Sequence, residues 1–203
     1  MCFKLFGVKF ILSYPLVAGL TLLLIFDPTG MAVCAVFASV CHELGHIVAM
    51  KFFGTQITKI KMSVFDINIT DIQKFQRGIK AEIIITLAGI FVNIVLFLLS
   101  IMLYNSCRLY IFRYFALANL SIGLFNALPV ESLDGGNALQ LVLQRNFSDR
   151  TVYIVTLVVS LLCVIPFGFV SFMALLNSPY NFTMLFATLY LISVIIFKPQ
   201  KYF

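Results

Sequence analysis

The chain consists of long apolar stretches separated by shorter polar breaks. A transmembrane helix needs about 17–25 mostly apolar residues, and six stretches meet or approach that length. They cover residues 10–26, 31–53, 83–104, 110–128, 152–176 and 182–197. After a polar break, the fourth continues into a shorter apolar run at residues 133–143. The pattern predicts an all-α polytopic membrane protein with about six transmembrane helices.

One polar segment, residues 54–80, is longer than the other breaks and separates the second apolar stretch from the third. Within it, residues 57–70 alternate loosely between apolar and polar positions and are rich in β-branched side chains. Such alternation is typical of strands. We therefore expect a short β-like segment, in the form of strands or a hairpin, between the second and third helices.

The composition supports a membrane protein and argues against a nucleic-acid-binding one. Hydrophobic residues make up 62% of the chain and charged residues only 11%, whereas a soluble domain has about 25% charged residues. The net charge of +6 would suggest nucleic acid in a soluble protein. In a chain that spans the lipid bilayer, the basic residues are better explained by membrane orientation.

The basic residues are distributed unevenly over the six-span topology. Twelve lie on one side and two on the other. The larger group consists of Lys4, Lys9, Lys51, Lys59, Lys61, Lys74, Arg77, Lys80, Arg145, Arg150, Lys198 and Lys201. The smaller group consists of Arg108 and Arg113. Because Lys and Arg concentrate on the cytoplasmic side, we predict a multi-pass protein with both termini in the cytoplasm.

The second apolar stretch contains both histidines of the chain, His42 and His46, with Glu43 directly after the first. Residues four apart share one face of a helix, so the two imidazoles can bind one metal ion. Glu43 lies at the edge of that face, as in the HExxH arrangement of zinc hydrolases. Ionisable groups inside a membrane helix are costly, and a divalent cation offsets that cost. The sequence therefore predicts a metal site here.

A catalytic zinc site needs a third protein ligand, and the candidates are few. Asp134 is the best candidate because it lies where the fourth stretch breaks, directly before Gly135-Gly136. Glu131 is the nearby competitor. Cys41 points about 100° away from His42 around the helix, so it is a poor ligand. The five cysteines form no CxxC pair.

Two separated motifs give the chain its resemblance to a known family. The segment His42-Glu43-Leu44-Gly45-His46 and the segment 126–136, NALPVESLDGG, resemble the two signature motifs of the site-2 protease family of intramembrane zinc metalloproteases. Ala88-Gly89, followed by Asn93, resembles a third and weaker motif. The chain is most similar to the sporulation-type members, which process a pro-sigma factor. That closer resemblance depends on residues 119–122 and the compact layout.

The resemblance implies a zinc metalloendopeptidase with Zn²⁺ bound by His42, His46 and Asp134 and with Glu43 as the general base. It further implies that Asn93, Asn126 and Gly135 contact substrate. The expected partners are a membrane-associated protein substrate and regulatory membrane proteins, and the expected location is a bacterial cell membrane. His46 precedes Lys51 by five residues, which places the metal about 7.5 Å below the cytosolic end of the helix.

The sequence departs from the family pattern in several places. Ile90 stands where the family often has proline, and Glu131-Ser132 stand near the position of a second proline. The chain ends at Phe203, so we expect a single domain over residues 1–203, with a core at 31–145. We expect no C-terminal domain of the cystathionine-β-synthase type. The alternatives are an inactive membrane scaffold, a membrane metal transporter and a metallohydrolase that acts on lipid.

Overall fold

The structure, a computed structural model, describes residues 2–5, 8–55, 57–62, 67–71, 77–177 and 183–197. By its internal contacts the chain divides into two compact units, Met1–Gly123 and Leu124–Phe203. Among the described residues, the first unit contains a four-stranded sheet and four helices, the last of which continues to Ala127. The second contains three helices and the turn that precedes them.

The elements of the first unit follow one another from the N-terminus as two strands, two helices, two strands and two helices. They are β1 (Cys2–Leu5), β2 (Val8–Leu12), α1 (Tyr14–Phe26), α2 (Met31–Phe52), β3 (Ile57–Met62), β4 (Ile67–Asp71), α3 (Ile79–Cys107) and α4 (Tyr110–Ala127). The strand order in the sheet is β1-β2-β3-β4. The hairpins β1–β2 and β3–β4 are antiparallel, and β2 pairs in parallel with β3.

Helices α2 and α3 approach each other closely at small residues. A Cβ atom on Gly45 would lie 2.9 Å from the Ala88 carbonyl oxygen and 3.2 Å from the Gly89 Cα. Small residues permit such backbone approach, which is how helices associate where lipid provides no hydrophobic driving force. Because Gly45 lies between His42 and His46, this contact places both histidines against α3.

Helix α4 packs on the same pair of helices. The rings of Phe37 on α2 and Phe115 on α4 lie 5.5 Å apart between centroids. On the α3 side, a Cβ on Gly123 would lie 3.2 Å from the Cβ of Asn93. At the other end of α2, Arg77 donates to Glu82 at 2.7 Å and also to the Thr55 hydroxyl, which ties the end of α2 to the start of α3.

The second unit comprises α5 (Asp134–Leu143), α6 (Asp149–Asn177) and α7 (Thr183–Phe197). Its core contains Val130, Leu133, Val164 and Leu191. Helices α6 and α7 are joined by a buried hydrogen bond of 2.9 Å between the hydroxyls of Ser171 and Thr188. Hydroxyl pairs of this kind bond helices to each other in apolar surroundings.

Each predicted apolar stretch coincides with a helix, but the helices differ in length. In the part of the chain that the structure describes, three are long and apolar enough to cross a membrane: Met31–Phe52, Ile79–Cys107 and Asp149–Leu176. Helix α1 has 13 residues and α7 has 15. The chain is a membrane protein, as the composition predicted.

The start of the first predicted span is wrong. Residues 10–12 belong to strand β2, and α1 begins only at Tyr14. Strand β2 forms because its backbone pairs with β3, for example Phe10 with Ile60. Residues 63–66 of the predicted β-like segment lie outside the described residues. So do Lys74, Lys198 and Lys201 of the basic set.

The carboxylate of Asp27 caps the N-terminus of α2. Its Oδ1 accepts from the Thr29 hydroxyl at 2.5 Å and from the Thr29 amide at 2.9 Å, and its Oδ2 accepts from the Ala32 amide at 2.5 Å. These bonds, the Thr29 hydroxyl first, hold the pKa of Asp27 below its usual value. Hydrogen bonds to the charged form of a carboxyl lower its pKa in this way.

We expect Asp27→Ala to lower the midpoint of thermal unfolding in detergent at neutral pH, because it removes three acceptor contacts at the start of α2. A lowered folded-state pKa means stabilisation that is present at neutral pH and lost as pH falls through that pKa. The difference from wild type should therefore shrink in acid. Ser106→Ala is the control, because the exposed Ser106 hydroxyl donates only to its own helix. Equal midpoints at neutral pH would contradict the capping role.

Candidate metal centre

His42 and His46 lie side by side on the face of α2 that packs on α3. Their ring centroids are 4.8 Å apart, and the two Nε2 atoms lie 3.2 Å from each other. The side chains are 4% and 8% exposed. The four-residue spacing on a helix produces this pairing, and the packing of α3 removes the rings from solvent.

The other nitrogen of each ring is held by an acceptor on α3. His42 Nδ1 lies 2.6 Å from Asn93 Oδ1, and His46 Nδ1 lies 2.8 Å from the Ile85 carbonyl oxygen. An oxygen acceptor at Nδ1 places the proton there and leaves the lone pair on Nε2. Metal-binding histidines have this second hydrogen bond in most proteins. Both rings are therefore oriented to bind a metal through Nε2.

The separation of the two Nε2 atoms fits one metal ion. Zinc binds imidazole nitrogen at about 2.0–2.1 Å in a tetrahedral site, so two such nitrogens lie about 3.3 Å apart. The observed distance is 3.2 Å. Two lone pairs that face each other at this distance in a buried place repel, and a shared cation relieves that repulsion.

Gly89 provides the room for the two rings. A Cβ at this position would lie 2.7 Å from His42 Nε2 and would also overlap His46 Nε2. Atoms at such distances clash, so any side chain here would push the rings away from their present positions. The glycine is therefore required for the geometry of the histidine pair.

A catalytic zinc site needs a third protein ligand and keeps a further position open. Two imidazoles and one carboxylate are such a ligand set. Asp134, which the sequence predicts as the carboxylate ligand, belongs to the second unit of the chain.

Asp134 is the first residue of α5, and the turn before it is tightly held. A Cβ on Gly135 would lie 2.6 Å from the Leu128 carbonyl oxygen, so the turn folds directly over the start of the helix. The Glu131 amide donates to the buried Ser160 hydroxyl of α6 at 3.0 Å. A carboxylate at a helix N-terminus is stabilised by the helix dipole. The turn therefore fixes Asp134 in place.

Three comparisons relate the chain to known proteins. The model of peptidase family M50 matches residues 104–166, which include Asp134. Stage IV sporulation protein FB of Bacillus subtilis (strain 168) is 28% identical over 130 residues, which are 63% of this chain and 45% of that protein. The chain thus spans less than half the length of this relative.

A solved structure extends the likeness to the whole fold. The site-2 protease from Methanocaldococcus jannaschii matches with a TM-score of 0.69 at 18% sequence identity, over 97% of this chain and 93% of that one. The chain resembles the site-2 protease family. The resemblance predicted from the two motifs, including its sporulation-type character, is confirmed.

The remaining predicted site residues lie on α2, α3, α4 and α5. Glu43 is half-buried on α2, directly after His42. Asn93 is fully buried on α3, with its oxygen on the His42 ring. Asn126 is half-buried near the end of α4. Gly135 packs against the backbone of residues 127 and 128.

Two contributors to the histidine environment had no role at the site assigned from the sequence. One is the Ile85 carbonyl, a backbone group that no residue pattern identifies. The other is Asn119, whose side chain is fully buried and accepts a hydrogen bond from Asn93 at 3.1 Å. A buried amide inside an apolar helix is costly unless it is paired, and that cost is the signal that could have identified Asn119.

We expect Gly89→Ala to lower the affinity for a divalent metal by about tenfold or more, because the new methyl group displaces both rings. Metal content after purification and competition against a chelator measure this. Gly19→Ala is the matched control, since no atom lies within 4 Å of its Cβ position. An unchanged metal affinity in the Gly89→Ala protein would show that the rings tolerate displacement.

Proposed function

We propose that the chain is an intramembrane zinc metalloprotease that hydrolyses membrane-associated proteins near the cytosolic face of the membrane. The observation that carries the proposal is the pair of inward-facing Nε2 atoms 3.2 Å apart, each in a ring held at Nδ1 by an acceptor. An enzyme that hydrolyses peptides through zinc needs this ligand geometry, with a carboxylate base beside it. Glu43, directly after His42 in the sequence, is the proposed carboxylate base.

In this mechanism His42, His46 and Asp134 are the protein ligands. Bound zinc would supply a water with a pKa lowered to about 7 and would polarise the scissile carbonyl. The Glu43 carboxylate accepts the proton of the attacking water and then delivers it to the leaving amine nitrogen. Asn126 and Gly135 are proposed to contact the substrate backbone. Asn93, predicted together with them, is instead fully buried, with its oxygen on His42 and its nitrogen on Asn119.

The proposal includes a topology. Six apolar segments would cross the bilayer, both termini would lie in the cytoplasm, and the whole chain would act as one membrane-embedded domain. The uneven distribution of Lys and Arg supports this arrangement. A bacterial cell membrane is the proposed location, because the sporulation protein that the chain resembles is bacterial.

A membrane-tethered transcription factor precursor, such as a pro-sigma factor, is the proposed substrate. The likeness to a stage IV sporulation protein supports this substrate class. The competing functions, an inactive scaffold and a metal transporter, predict no product of peptide hydrolysis. Co-expression with candidate precursors, followed by measurement of product size, therefore separates them from a protease.

Glu43→Gln should abolish cleavage and leave zinc bound, because the amide cannot accept a proton and Glu43 is not one of the three proposed ligands. The purified protein is incubated with a single-span peptide substrate, and zinc is measured in the same sample. His42→Ala is the comparison variant and should lose both zinc and activity. Cleavage by the Glu43→Gln protein at the wild-type rate would refute the assigned base.

We further propose that strand β4 binds the unwound substrate by strand addition. Among the described strands β4 lies at one edge of the sheet, paired on one side with β3. An extended peptide can add to such an edge through main-chain hydrogen bonds. A helical segment must unwind before its peptide bonds can be hydrolysed. Pairing with β4 would keep the scissile segment of the substrate in an extended conformation.

Proline is substituted in turn for Asn68, Ile69 and Thr70. KM should rise where the replaced amide points away from β3, because proline has no N–H to donate to the substrate. Successive amides of an edge strand point to opposite sides, so the effect should alternate. Proline at Phe3, in the opposite edge strand β1, is the control. Unchanged KM at all three β4 positions would exclude strand addition there.

A further inference from the structure

A chain of buried hydrogen bonds runs from helix α4 through α3 to the His42 ring. Asn119 Nδ2 donates to the Phe115 carbonyl oxygen at 2.8 Å. Asn93 Nδ2 donates to Asn119 Oδ1 at 3.1 Å, and Asn93 Oδ1 lies 2.6 Å from His42 Nδ1. Both asparagine side chains are completely inaccessible to solvent.

The Phe115 carbonyl fixes the direction of every bond in this chain. A carbonyl can only accept, so the nitrogen end of the Asn119 amide must face it. The oxygen of Asn119 is then directed at Asn93, which must present its own nitrogen. The oxygen of Asn93 is consequently left for His42, and the His42 proton must be at Nδ1.

We propose that Asn119 is a positioning residue that sets the tautomer of His42 through Asn93. This inference rests on the proposed function, since it assigns a role in preparing a zinc ligand. With its proton held at Nδ1, His42 presents the Nε2 lone pair towards His46. Asn119 lies on α4 and does not touch the His42 ring, because Asn93 lies between them.

The packing of α3 on α4 supports this relay, the series of hydrogen bonds from Asn119 through Asn93 to His42. Gly123, one turn after Asn119, leaves room for Asn93, because a Cβ there would lie 3.2 Å from the Asn93 Cβ. Ala116, one turn before, is completely buried. In such apolar surroundings an unpaired amide is strongly unfavourable, so neither asparagine can rotate without losing a partner.

His46 provides a comparison inside the same site. Its Nδ1 is held by the Ile85 backbone carbonyl, which no substitution at Asn119 removes. A change at Asn119 should therefore act on His42 and leave His46 as it is. Because the chain contains only two histidines, histidine labelled with ¹⁵N reports on this pair alone.

The test compares wild type, Asn119→Leu and Asn119→Asp by two measurements. The first is the ¹⁵N spectrum of the zinc-free protein at neutral pH. The second is zinc affinity by chelator competition. In Asn119→Leu, Asn93 is free to turn its nitrogen towards His42. We then expect His42 to lose its Nδ1–H form, His46 to keep it, and zinc affinity to fall about 10–100-fold.

Asn119→Asp should restore the relay. A buried carboxyl group stays protonated, so it can donate to the Phe115 carbonyl and accept from Asn93 as the amide does. Zinc affinity and the His42 spectrum should therefore remain close to wild type. Ser100→Ala is the control, because it removes a buried hydroxyl of α3 that donates only to the Leu96 carbonyl of its own helix.

The outcomes separate this inference from the protease proposal. If Asn119→Leu keeps the wild-type His42 spectrum and zinc affinity, the relay is wrong while the protease proposal stands. An Asn119→Asp protein as impaired as Asn119→Leu would also overturn the relay. If wild type binds no zinc, the protease proposal fails, and the ¹⁵N spectra still decide whether Asn119 sets the tautomer.

Discussion

Two imidazole nitrogens face each other at 3.2 Å in a buried place, and the rest of the site depends on this contact. Each ring is prevented from rotating away by an acceptor at its other nitrogen. The lone pairs therefore converge, and a shared cation removes the resulting repulsion. The close approach of α2 and α3 at Gly45 and Gly89 is the structural condition for this arrangement, because larger residues would separate the helices.

Two kinds of hydrogen bond hold the buried polar side chains around the helices. Ser100 and Thr156 donate to carbonyls of their own helices, and such bonds let a polar side chain lie in apolar surroundings without a partner elsewhere. His42, Asn93 and Asn119 instead bond between helices. In lipid there is no water to replace a lost partner, so bonds of the second kind fix helix positions as well as ring orientation.

The comparisons and the geometry inform on different parts of the molecule. The family match covers the segment around Asp134 and does not reach the histidine pair, whereas the structural match covers nearly the whole chain and concerns the fold. The histidine pair is supported by its own geometry. A proposal of zinc proteolysis therefore combines three independent observations, and the Asn119 relay adds a role for a residue that touches neither histidine.

The sequence by itself determined the helix positions and the histidine pair. Both follow from local rules: apolar length predicts a membrane helix, and four-residue spacing puts His42 and His46 on one face. The tertiary structure alone decided that residues 10–12 join a strand, because their partners in β3 are about fifty residues away. It also placed Asn119 beside Asn93. Contacts between distant segments depend on how helices pack, and no local pattern encodes that packing.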